Sequence, residues 1–369
     1  MIIGFDGSRA FSKKRTGTEN YSYQLLKSLS TIDKKNQYIV YLRPGVEVGE
    51  SWSENLTFKV ISWSRLWTQG GLVIQTFIDD LDVLFIPSHT LPIISKPGLK
   101  TVMTVHDLGA EYLPKMHQLK QQLYLKYITR YQLTSATRLI AVSKSTKEDL
   151  VKKVNIDPKK ITVVYEGYDT ESYGLRSSKI GKYFLFVGTI QPRKNLTRLI
   201  TAFSRVIPDS IRDPYYIDSD FRQNDKLNLL IVGSKGWASS EIYMLPKKLG
   251  IEGRVKFLGY VPDKDMPALY SNALALVFPS LFEGFGLPIL EAQASGCPVI
   301  TSNTSSMPEV AGKGAILVDP YSTSDIVKGM SDILNKEIRD KLTKAGFENI
   351  KKFSWEKCAK ETLSVLEEI

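Results

Sequence analysis

The sequence contains little cysteine and little histidine. Its two cysteines, Cys297 and Cys358, exclude a disulfide scaffold and suit the reducing cytoplasm, where we expect the protein. The three histidines, His89, His106 and His117, form neither an H-x3-H nor an H-E-x-x-H pattern. The sequence therefore predicts neither a disulfide framework nor a metal site.

Signals for membrane insertion are also missing. No run of about 18 consecutive apolar residues occurs, so no transmembrane helix is expected. The opening MIIGFDG breaks at Gly4 and Asp6 and has neither a basic n-region nor a long apolar run. It therefore does not predict a signal peptide.

The charge is unbalanced, with a formal net charge of +10 at pH 7. A basic surface suggests an anionic partner, such as membrane lipid, nucleic acid or a phosphorylated ligand. Solubility alone is the alternative explanation. The composition, 43% hydrophobic and 24% charged, is that of a globular protein, and 369 residues favour two domains.

Short apolar runs of strand length alternate with helical patterns along the chain. This alternation predicts βαβ units, parallel sheets covered by helices and an α/β fold. The pattern restarts after the Gly-, Ser- and Tyr-rich segment Glu166–Lys182, which is the best domain boundary. We expect one Rossmann-like domain over 1–170 and a second over 171–353. An amphipathic helix over about 354–369 is expected to pack on the first domain.

Open sheets of this kind bind ligands at the carboxyl ends of their strands. If the two doubly wound domains face each other across a cleft, ligands of both meet in that cleft. Within the second domain, the polar stretch Pro208–Asp225 is predicted to be a surface insertion.

The stretch LFEGFGLPILEAQASGCPVI keeps two glutamates, Glu283 and Glu291, in a run that otherwise resembles core. Pro288 is suited to the first helical position, and Gly296 to the end of the helix. Glu283 is then expected in the loop before the helix, and Glu291 about one turn into it. Two solvated glutamates on a buried helix are the alternative.

The loop between the two glutamates supports a ligand-binding interpretation. Its glycines expose backbone N–H groups at a helix N-terminus, which suits a phosphate. Carboxylates would repel phosphate, but they accept hydrogen bonds from sugar hydroxyls. N–H groups that donate to a phosphate, flanked by two carboxylates that accept from hydroxyls, together suit a nucleotide sugar.

These motifs resemble those of the family-four retaining glycosyltransferases, which have the GT-B fold. The resemblance begins with EGFGLPILE, ASGCPVI and SNTSSMPEVAG and covers nearly the whole chain. Further matching stretches follow the family order: VHDL, RLIAVSKSTKEDL, FVGTIQPRKNLTRLI, VKFLGYVPDKDMPALYSNA and FSWEKCAKETL. The variants GTIQPRKN and SNTSSMPEVAG are similar to those of bacterial mannosyltransferases of surface polysaccharide assembly.

The resemblance implies a role for each matching residue around the donor. Glu283 would bind donor-sugar hydroxyls, and Glu291 the ribose hydroxyls. Arg193 and Lys194 would neutralise the leaving diphosphate, as fixed cations stabilise developing negative charge; an exposed basic turn is the alternative. The backbone N–H groups that would contact the sugar and the diphosphate belong to Phe285, Gly286 and Leu287.

One position departs from the family pattern. Many relatives carry Gly-Arg at the end of the strand that precedes the lysine, whereas this sequence has Gly188-Thr189 and then Lys194. Arg193 would supply the guanidinium from a neighbouring position, and Thr189 would lie at the donor. Which group contacts which phosphate is left open.

The first domain would contribute His106, which follows an apolar strand at its carboxyl end. The resemblance implies that His106 reaches the donor sugar and the reaction centre. A structural role for this histidine is the alternative. Asp107 would orient the imidazole or the acceptor. The segment RTGTENYSYQLL resembles the family's glycine-rich first loop through Gly17. Thr16 replaces a second glycine, and Glu19 and Asn20 could contact the acceptor.

Base recognition is expected from FLGYVPDKD. Val261 would use its backbone, and Asp263 would accept hydrogen bonds from guanine, although a surface-turn aspartate is equally compatible. The segment KMHQLKQQLYLKYITRYQLTSATRL mixes basic and tyrosine side chains, which suits an anionic membrane surface or an ordinary amphipathic helix.

The sequence thus predicts a cytoplasmic glycosyltransferase that needs no metal or cofactor, and its basic tyrosine-rich segment is compatible with the inner face of the membrane. It would move a hexose, with mannose from GDP-mannose favoured, to a glycan or lipid-linked acceptor with retention of configuration. A GT-B sugar-nucleotide epimerase is the first alternative. A basic nucleic-acid-binding protein is weaker, because the motifs of known modules are missing. Glu283→Ala is expected to abolish transfer and to leave the fold intact.

Overall fold

The computed structural model describes residues 1–12, 15, 17–49, 51–88, 90–108, 125–174, 183–209, 227–237 and 239–369. These residues form two compact units. Unit 1 comprises Met1–Gly167 and Phe353–Ile369, and unit 2 comprises Tyr168–Lys352. Most of the predicted insertion over 208–225 lies outside the described residues.

Unit 1 contains a parallel sheet with the strand order β3-β2-β1-β4-β5-β6-β7. Its strands β1 to β7 are Ile2–Asp6, Gln37–Leu42, Leu56–Val60, Val83–Ile86, Lys100–Val105, Arg138–Ala141 and Ile161–Val163. The strand order reverses between β1 and β4, as in doubly wound folds.

Unit 2 contains a second parallel sheet with the order β10-β9-β8-β11-β12-β13. Its strands β8 to β13 are Tyr183–Val187, Asn228–Val232, Val255–Gly259, Ala275–Phe278, Val299–Ser302 and Ala315–Val318. Here the order reverses between β8 and β11. The prediction of two Rossmann-like domains with parallel sheets is confirmed.

Helices connect these strands. Among the described residues, helices α1 to α12 are Gly17–Ile32, Val73–Ile78, Arg130–Ser135, Lys144–Asp149, Leu196–Asp209, Ser240–Lys248, Met266–Ser271, Leu287–Ala294, Met307–Ala311, Thr323–Asp332, Lys336–Ile350 and Trp355–Glu367. Short π-helical segments cover Trp67–Leu72, Leu125–Thr129 and Leu150–Val154, and short 3-10 helices cover Pro158–Lys160, Pro192–Lys194 and Asp263–Asp265. The helix α5 extends to Asp209 and so includes the first two residues of the stretch that was predicted to be an insertion.

Burial follows the position of each strand in its sheet. Every residue of the strands β4, β11 and β12 is buried, which explains the continuous apolar sequences of β4 and β11. In each of the edge strands β3 and β10, two of the five residues are exposed, and each strand carries a lysine. Charged edges of this kind oppose pairing with other chains.

The last helix, α12, completes unit 1 by packing on α1. The ring of Trp355 lies edge-on to Tyr21, with centroids 5.9 Å apart, and Asn36 Nδ2 donates a 3.1 Å hydrogen bond to Glu367 Oε1. A side-chain carbon at Gly167 would overlap the backbone nitrogen of Trp355. Residue 167 therefore has to be glycine for the chain to pass beside α12.

In the part of the chain that the structure describes, no helix is long and apolar enough to cross a membrane. The segment proposed to contact a membrane surface is described only from residue 125 onward. There, the side chains of Tyr127 and Tyr131 are exposed. Its earlier residues, including Lys115, Lys120 and Tyr124, lie outside the described residues, and membrane contact stays a prediction.

Candidate active site

The candidate site in unit 2 lies where the strand order reverses. From β8 the chain continues through β9 and β10, then returns to β11 beside β8. Ligands of open parallel sheets bind at the carboxyl ends of the strands at such a point. The segments that leave β8 and β11 there carry Arg193, Lys194 and Glu283.

Glu283 is a buried carboxylate that binds two cations. Its Oε1 accepts a hydrogen bond of 2.6 Å from Lys194 Nζ, and its Oε2 accepts one of 2.9 Å from Arg193 Nη1. Lys194 is buried as well, whereas 23% of the Arg193 side chain is exposed. The three groups together carry one net positive charge. An exposed basic turn, the alternative for these cations, does not fit their burial.

The environment keeps Glu283 ionised. Burial acts to raise the pKa of its carboxyl, but the charges of Lys194 and Arg193 outweigh burial and lower the pKa to about 2. A hydrogen bond that involves Ser280 acts in the same direction. The carboxylate therefore remains an acceptor over the whole physiological pH range.

Local backbone geometry holds Arg193 and Lys194, which lie on the segment after β8, against the loop that follows β11. Asn195 adopts a left-handed conformation with φ of 60°, which ends the turn Pro192–Lys194, and asparagine tolerates this conformation well. Its Nδ2 donates hydrogen bonds to the carbonyls of Pro279 (3.0 Å) and Pro320 (2.7 Å). The backbone of Leu281 in turn donates to Arg193 O. The loops of the two adjacent strands are thus joined.

The loop from Glu283 to the helix α8 turns at Gly286, whose φ is +109°. Leu287 begins the helix, one residue earlier than predicted, so Pro288 is its second residue. The Ser306 hydroxyl lies within hydrogen-bond distance of the carbonyl oxygens of Glu283 (3.0 Å) and Phe285 (2.7 Å). This anchor fixes the loop that carries Glu283. Gly296 ends the helix with φ of 72°, as predicted.

Glu291 lies one turn into α8 and has a different environment. Its Oε2 accepts a 2.7 Å hydrogen bond from Tyr270, and Tyr173 also hydrogen-bonds to the carboxyl. The two tyrosine rings meet edge to face at 5.9 Å. Burial raises the pKa of Glu291 to about 7, and the charge of Asp263 contributes, while the tyrosine hydrogen bonds oppose the shift.

The remaining predicted donor residues of unit 2 lie on loops after β8 and β10. Thr189 is exposed next to Gly188. Val261 follows β10 and is half-buried, and Asp263 is exposed at the start of a short turn. Asp263 acts electrostatically on Glu291, so these two carboxyl groups belong to one neighbourhood.

In unit 1, His106 follows β5 and uses both ring nitrogens. Its Nδ1 lies 3.2 Å from Glu166 Oε1, and its Nε2 lies 3.0 Å from the carbonyl oxygen of Pro87. The ring of Tyr21 stands edge-on at 4.7 Å. Burial acts to lower the pKa of His106, but the hydrogen bond and charge of Glu166 outweigh burial, so the pKa lies above its ordinary value.

The first-loop residues lie at the beginning of α1. Gly17 is its first residue and is exposed, and a side-chain carbon there would meet no described atom within 4 Å. Glu19 pairs with Arg9 at 3.1 Å, and Asn20 is half-buried on the same turn. Thr16 lies outside the described residues.

The structure therefore joins some predicted site residues directly. It brings Arg193, Lys194 and Glu283 into contact, and it places Asp263 near Glu291. The residues that sequence reasoning missed are the partners Glu166, Tyr173, Tyr270 and Ser306. No local pattern marks them, since each reaches its partner across 20 or more intervening residues.

Comparison with known proteins decides the family. The model of glycosyl transferases group 1 matches residues 170–349, and that of glycosyltransferase family 4 matches residues 17–172. O-antigen chain mannosyltransferase B of Escherichia coli is 31% identical over 281 residues, which cover 72% of this chain and 69% of that protein. The chain belongs to the family-four glycosyltransferases. The predicted family and its likeness to bacterial mannosyltransferases are confirmed.

Two further comparisons agree with this assignment. The glycosyltransferase is 30% identical over 232 residues to O-antigen chain mannosyltransferase RfbU of Salmonella typhimurium, covering 63% of this chain and 59% of that protein. Its fold matches sucrose-phosphate synthase from Thermosynechococcus elongatus with a TM-score of 0.76 at 18% identity, over 100% and 98% of the two chains. The GT-B fold class is thereby confirmed.

Metal ligation has no geometric basis in the described part of this glycosyltransferase. No group of three or more His, Cys, Asp or Glu side chains there could hold a metal ion. That the reaction needs no metal stays a prediction from the sequence.

Proposed function

We propose that this glycosyltransferase transfers a mannosyl group from GDP-mannose to a glycan or lipid-linked acceptor, with retention of configuration. The observation that carries the proposal is the contact of Glu283 with Lys194 and Arg193 at the strand-order reversal of unit 2. This arrangement places fixed cations and an ionised hydroxyl acceptor at the edge of the sheet where a nucleotide sugar would bind.

The cations suit the departing half of the donor. When the bond between the anomeric carbon and the diphosphate breaks, the nucleoside diphosphate gains negative charge, and preorganised cations stabilise that change. Arg193 and Lys194 are held by Glu283 and by the loop contacts of Asn195, so they need little rearrangement. A net charge of +1 remains for the incoming diphosphate.

Glu283 would bind the donor sugar as well as the cations. An ionised carboxylate has about four lone-pair sites, and the two cations occupy one on each oxygen. A hydrogen bond that involves Ser280 uses a third site, and the remaining one could accept a hydrogen bond from a sugar hydroxyl. Because the same group holds the cations and the sugar, binding of the sugar and charge stabilisation would depend on one side chain.

Glu291 would receive the ribose. Its carboxyl takes hydrogen bonds from Tyr270 and Tyr173, which are hydroxyl donors of the same kind as the two ribose hydroxyls. A bound ribose could replace the Tyr173 hydroxyl at this position. Asp263, in the same neighbourhood, would accept from guanine and would favour GDP over UDP or ADP.

The sugar and acceptor are proposed from the relatives. Two relatives at 30% and 31% identity are named O-antigen chain mannosyltransferases, which supports mannose as the sugar and a bacterial polysaccharide as the acceptor. The family models and these relatives are transferases, and they favour transfer over the epimerase alternative. In the proposed reaction a diphosphate oxygen of the leaving group takes the proton of the acceptor hydroxyl.

A thermal-shift panel with GDP-, UDP- and ADP-sugars tests the donor, because a ligand that binds the native state raises its melting temperature. We expect GDP-mannose to give the largest shift. A larger shift with a UDP-sugar would overturn the donor assignment.

A product assay tests the reaction itself. With GDP-mannose and a lipid-linked oligosaccharide, we expect a new glycosidic bond whose NMR coupling shows the anomeric configuration of the donor. Incubation with the nucleotide sugar alone is the control, and rapid C2 epimerisation there would replace the transferase proposal.

A further inference from the structure

Glu166 is a buried carboxyl group to which the proposed transfer gives no role. It follows β7 on the segment that ends the first part of unit 1, and it is 5% exposed. Its Oε1 lies 3.2 Å from Nδ1 of His106, whose side chain is also mostly buried. The second ring nitrogen, Nε2, lies 3.0 Å from Pro87 O, on the loop after β4.

The two acceptors determine the protons of the imidazole ring. A backbone carbonyl has no proton to give, so Nε2 must carry a hydrogen to bond with Pro87 O. At Nδ1, the neighbour is a carboxyl oxygen, and two lone pairs would repel each other there. A hydrogen on Nδ1, donated to a carboxylate oxygen of Glu166, satisfies this contact, and the ring is then an imidazolium. The hydrogen bond and charge of Glu166 favour this form, because they raise the pKa of His106 above its ordinary value.

Among the residues that the structure describes, the other groups packed against the ring do not compete for these positions. Tyr21 of α1 presents its ring edge-on at 4.7 Å, while its hydroxyl lies 3.2 Å from Thr104 Oγ1. The carboxyl group of Asp107, next in sequence, adds a favourable negative charge. From α12, the buried thiol of Cys358 faces Tyr21 and Glu166, and burial raises its pKa, so it stays neutral.

We propose that Glu166 is a positioning residue for the transfer reaction, which holds His106 between two acceptors and favours its cationic form. The proposal rests on the proposed function, because it concerns the histidine that would reach the donor sugar. In this arrangement His106 supplies positive charge at a fixed place. It offers no ring lone pair, so it cannot remove a proton from the acceptor.

This role agrees with the proton balance of the proposed transfer. The bond between the anomeric carbon and the diphosphate oxygen breaks, and the bond between that carbon and the acceptor oxygen forms. The acceptor proton passes to an oxygen of the leaving diphosphate. No protein base is required, and a fixed cation favours the charge that develops on the leaving group.

Sequence alone did not indicate this pair. Glu166 opens the segment EGYDTESYGLRSSKIGK, which was interpreted only as a boundary between domains. Sixty residues separate it from His106, and the parallel arrangement of β5, β6 and β7 brings their carboxyl ends to the same edge of the sheet. The pair joins the residue after β5 to the segment where the chain leaves unit 1.

NMR of the imidazole carbons tests the proposal without any substrate. The chain has three histidines, so the His106 signal can be assigned by its loss in His106→Gln. We expect the titration midpoint of His106 in the unaltered protein to lie above about 6.5, the ordinary histidine value. In Glu166→Gln the midpoint should fall, and in the surface control Glu148→Gln it should not change.

The unaltered protein alone already gives a decisive result, even if Glu166→Gln does not fold. A midpoint at or below the ordinary value would overturn the proposal. An unchanged midpoint in a folded Glu166→Gln variant would overturn it as well.

The pH dependence of transfer distinguishes charge from mere packing. In Glu166→Gln the imidazolium is lost as pH rises past the ordinary histidine pKa, whereas the unaltered protein keeps it to a higher pH. We expect kcat to fall by about 100-fold at about pH 8, with a much smaller loss at about pH 5.5 and little change in donor KM. Glu166→Asp keeps the charge and should recover part of kcat.

A loss of kcat in Glu166→Gln that is equal at all pH values would indicate packing alone and would overturn the proposal. Failure of the proposed function gives a separate result. If no nucleotide sugar supports transfer in the unaltered protein, the glycosyl donor assignment fails, while the NMR titration still decides whether Glu166 holds His106 as a cation.

Discussion

The ammonium group of Lys194 lies 2.6 Å from the carboxylate of Glu283, and both side chains are buried. The two residues come from loops after adjacent strands, 89 positions apart in sequence. Because both side chains are buried, water cannot replace either charge as the partner of the other. Each charge therefore compensates the other at the same position where the proposed chemistry takes place, and removing only one of them is costly.

This pair changes the expectation for Glu283→Ala. Removing one partner leaves a buried, uncompensated ammonium, which typically costs about 3–5 kcal/mol. We now expect the variant to lose transfer and to unfold at a markedly lower denaturant concentration. A chemical denaturation curve measures the second effect.

A double variant separates stability from chemistry. Glu283→Gln combined with Lys194→Met removes both charges, and replacing a whole buried pair is often neutral or stabilising. The double variant should regain most of the lost stability and still fail to transfer mannose. If it transfers mannose at the normal rate, neither residue belongs to the donor site.

Arg193 gives a test with little effect on the fold. Its side chain is 23% exposed, so Arg193→Gln should change stability less than Glu283→Ala. Loss of a cation that stabilises the leaving group typically costs about 100- to 1000-fold in kcat. Steady-state kinetics on Arg193→Gln should show this, with weaker inhibition by the product GDP.

The matched control for this variant is Arg205→Gln. Arg205 is an exposed residue of α5 in the same unit, and its replacement removes the same charge from the surface. Similar kinetic losses in both variants would mean that net charge, and not the position of Arg193, controls the reaction.

Glu291 should make stability depend on pH near neutrality. Its pKa is about 7 in the folded protein and about 4.5 when unfolded, so the folded state favours the protonated form. Its contribution is complete below about pH 4.5 and is lost as pH rises through about 7. Over that interval the protein should lose about 2–3 kcal/mol relative to Glu291→Gln.

Melting temperatures of both proteins from about pH 5 to about pH 8.5 measure this effect. Donor affinity should change in the opposite direction, since the ionised carboxylate is the better acceptor for ribose hydroxyls. A difference between the two melting curves that does not vary with pH would show that Glu291 titrates normally.

Gly286 is required by backbone geometry. Its φ of +109° is unfavourable for residues with a side chain, and a carbon added there would approach Ile289 Cδ1 to 3.2 Å. We expect Gly286→Ala to cost about 1–2 kcal/mol or more. Gly253→Ala is the control, because its φ is not positive and an added carbon meets no described atom within 4 Å. Equal unfolding free energies of the two variants would contradict the argument.

Much of the fold could be predicted because its central strands are buried on both faces. Runs such as VLFI in β4 and ALVF in β11 are continuously apolar, and helical spacing lies between them. The edge strand β3, LTFKV, and the short β7, ITV, were not recognised. An edge strand with polar residues and a strand of three residues have no distinctive period.

The candidate site was predictable only in part. Motif spacing located Glu283, Glu291, Arg193 and Lys194, because each belongs to a recognisable local segment. Their contacts could not be predicted, since the pairing of Glu283 with Lys194 depends on β8 and β11 being neighbours. The same holds for Glu166, whose partner His106 is reached only through the order of the strands.

The helix α12 has a consequence for synthesis. Unit 1 combines Met1–Gly167 with Phe353–Ile369, and Trp355 and Glu367 of the second segment contact Tyr21 and Asn36 of the first. On the ribosome, every segment of unit 2 emerges before α12, so unit 2 can complete its structure first. The face of α1 that receives Trp355 stays uncovered until α12 emerges, and a nascent chain would be open to chaperones or proteases at that surface.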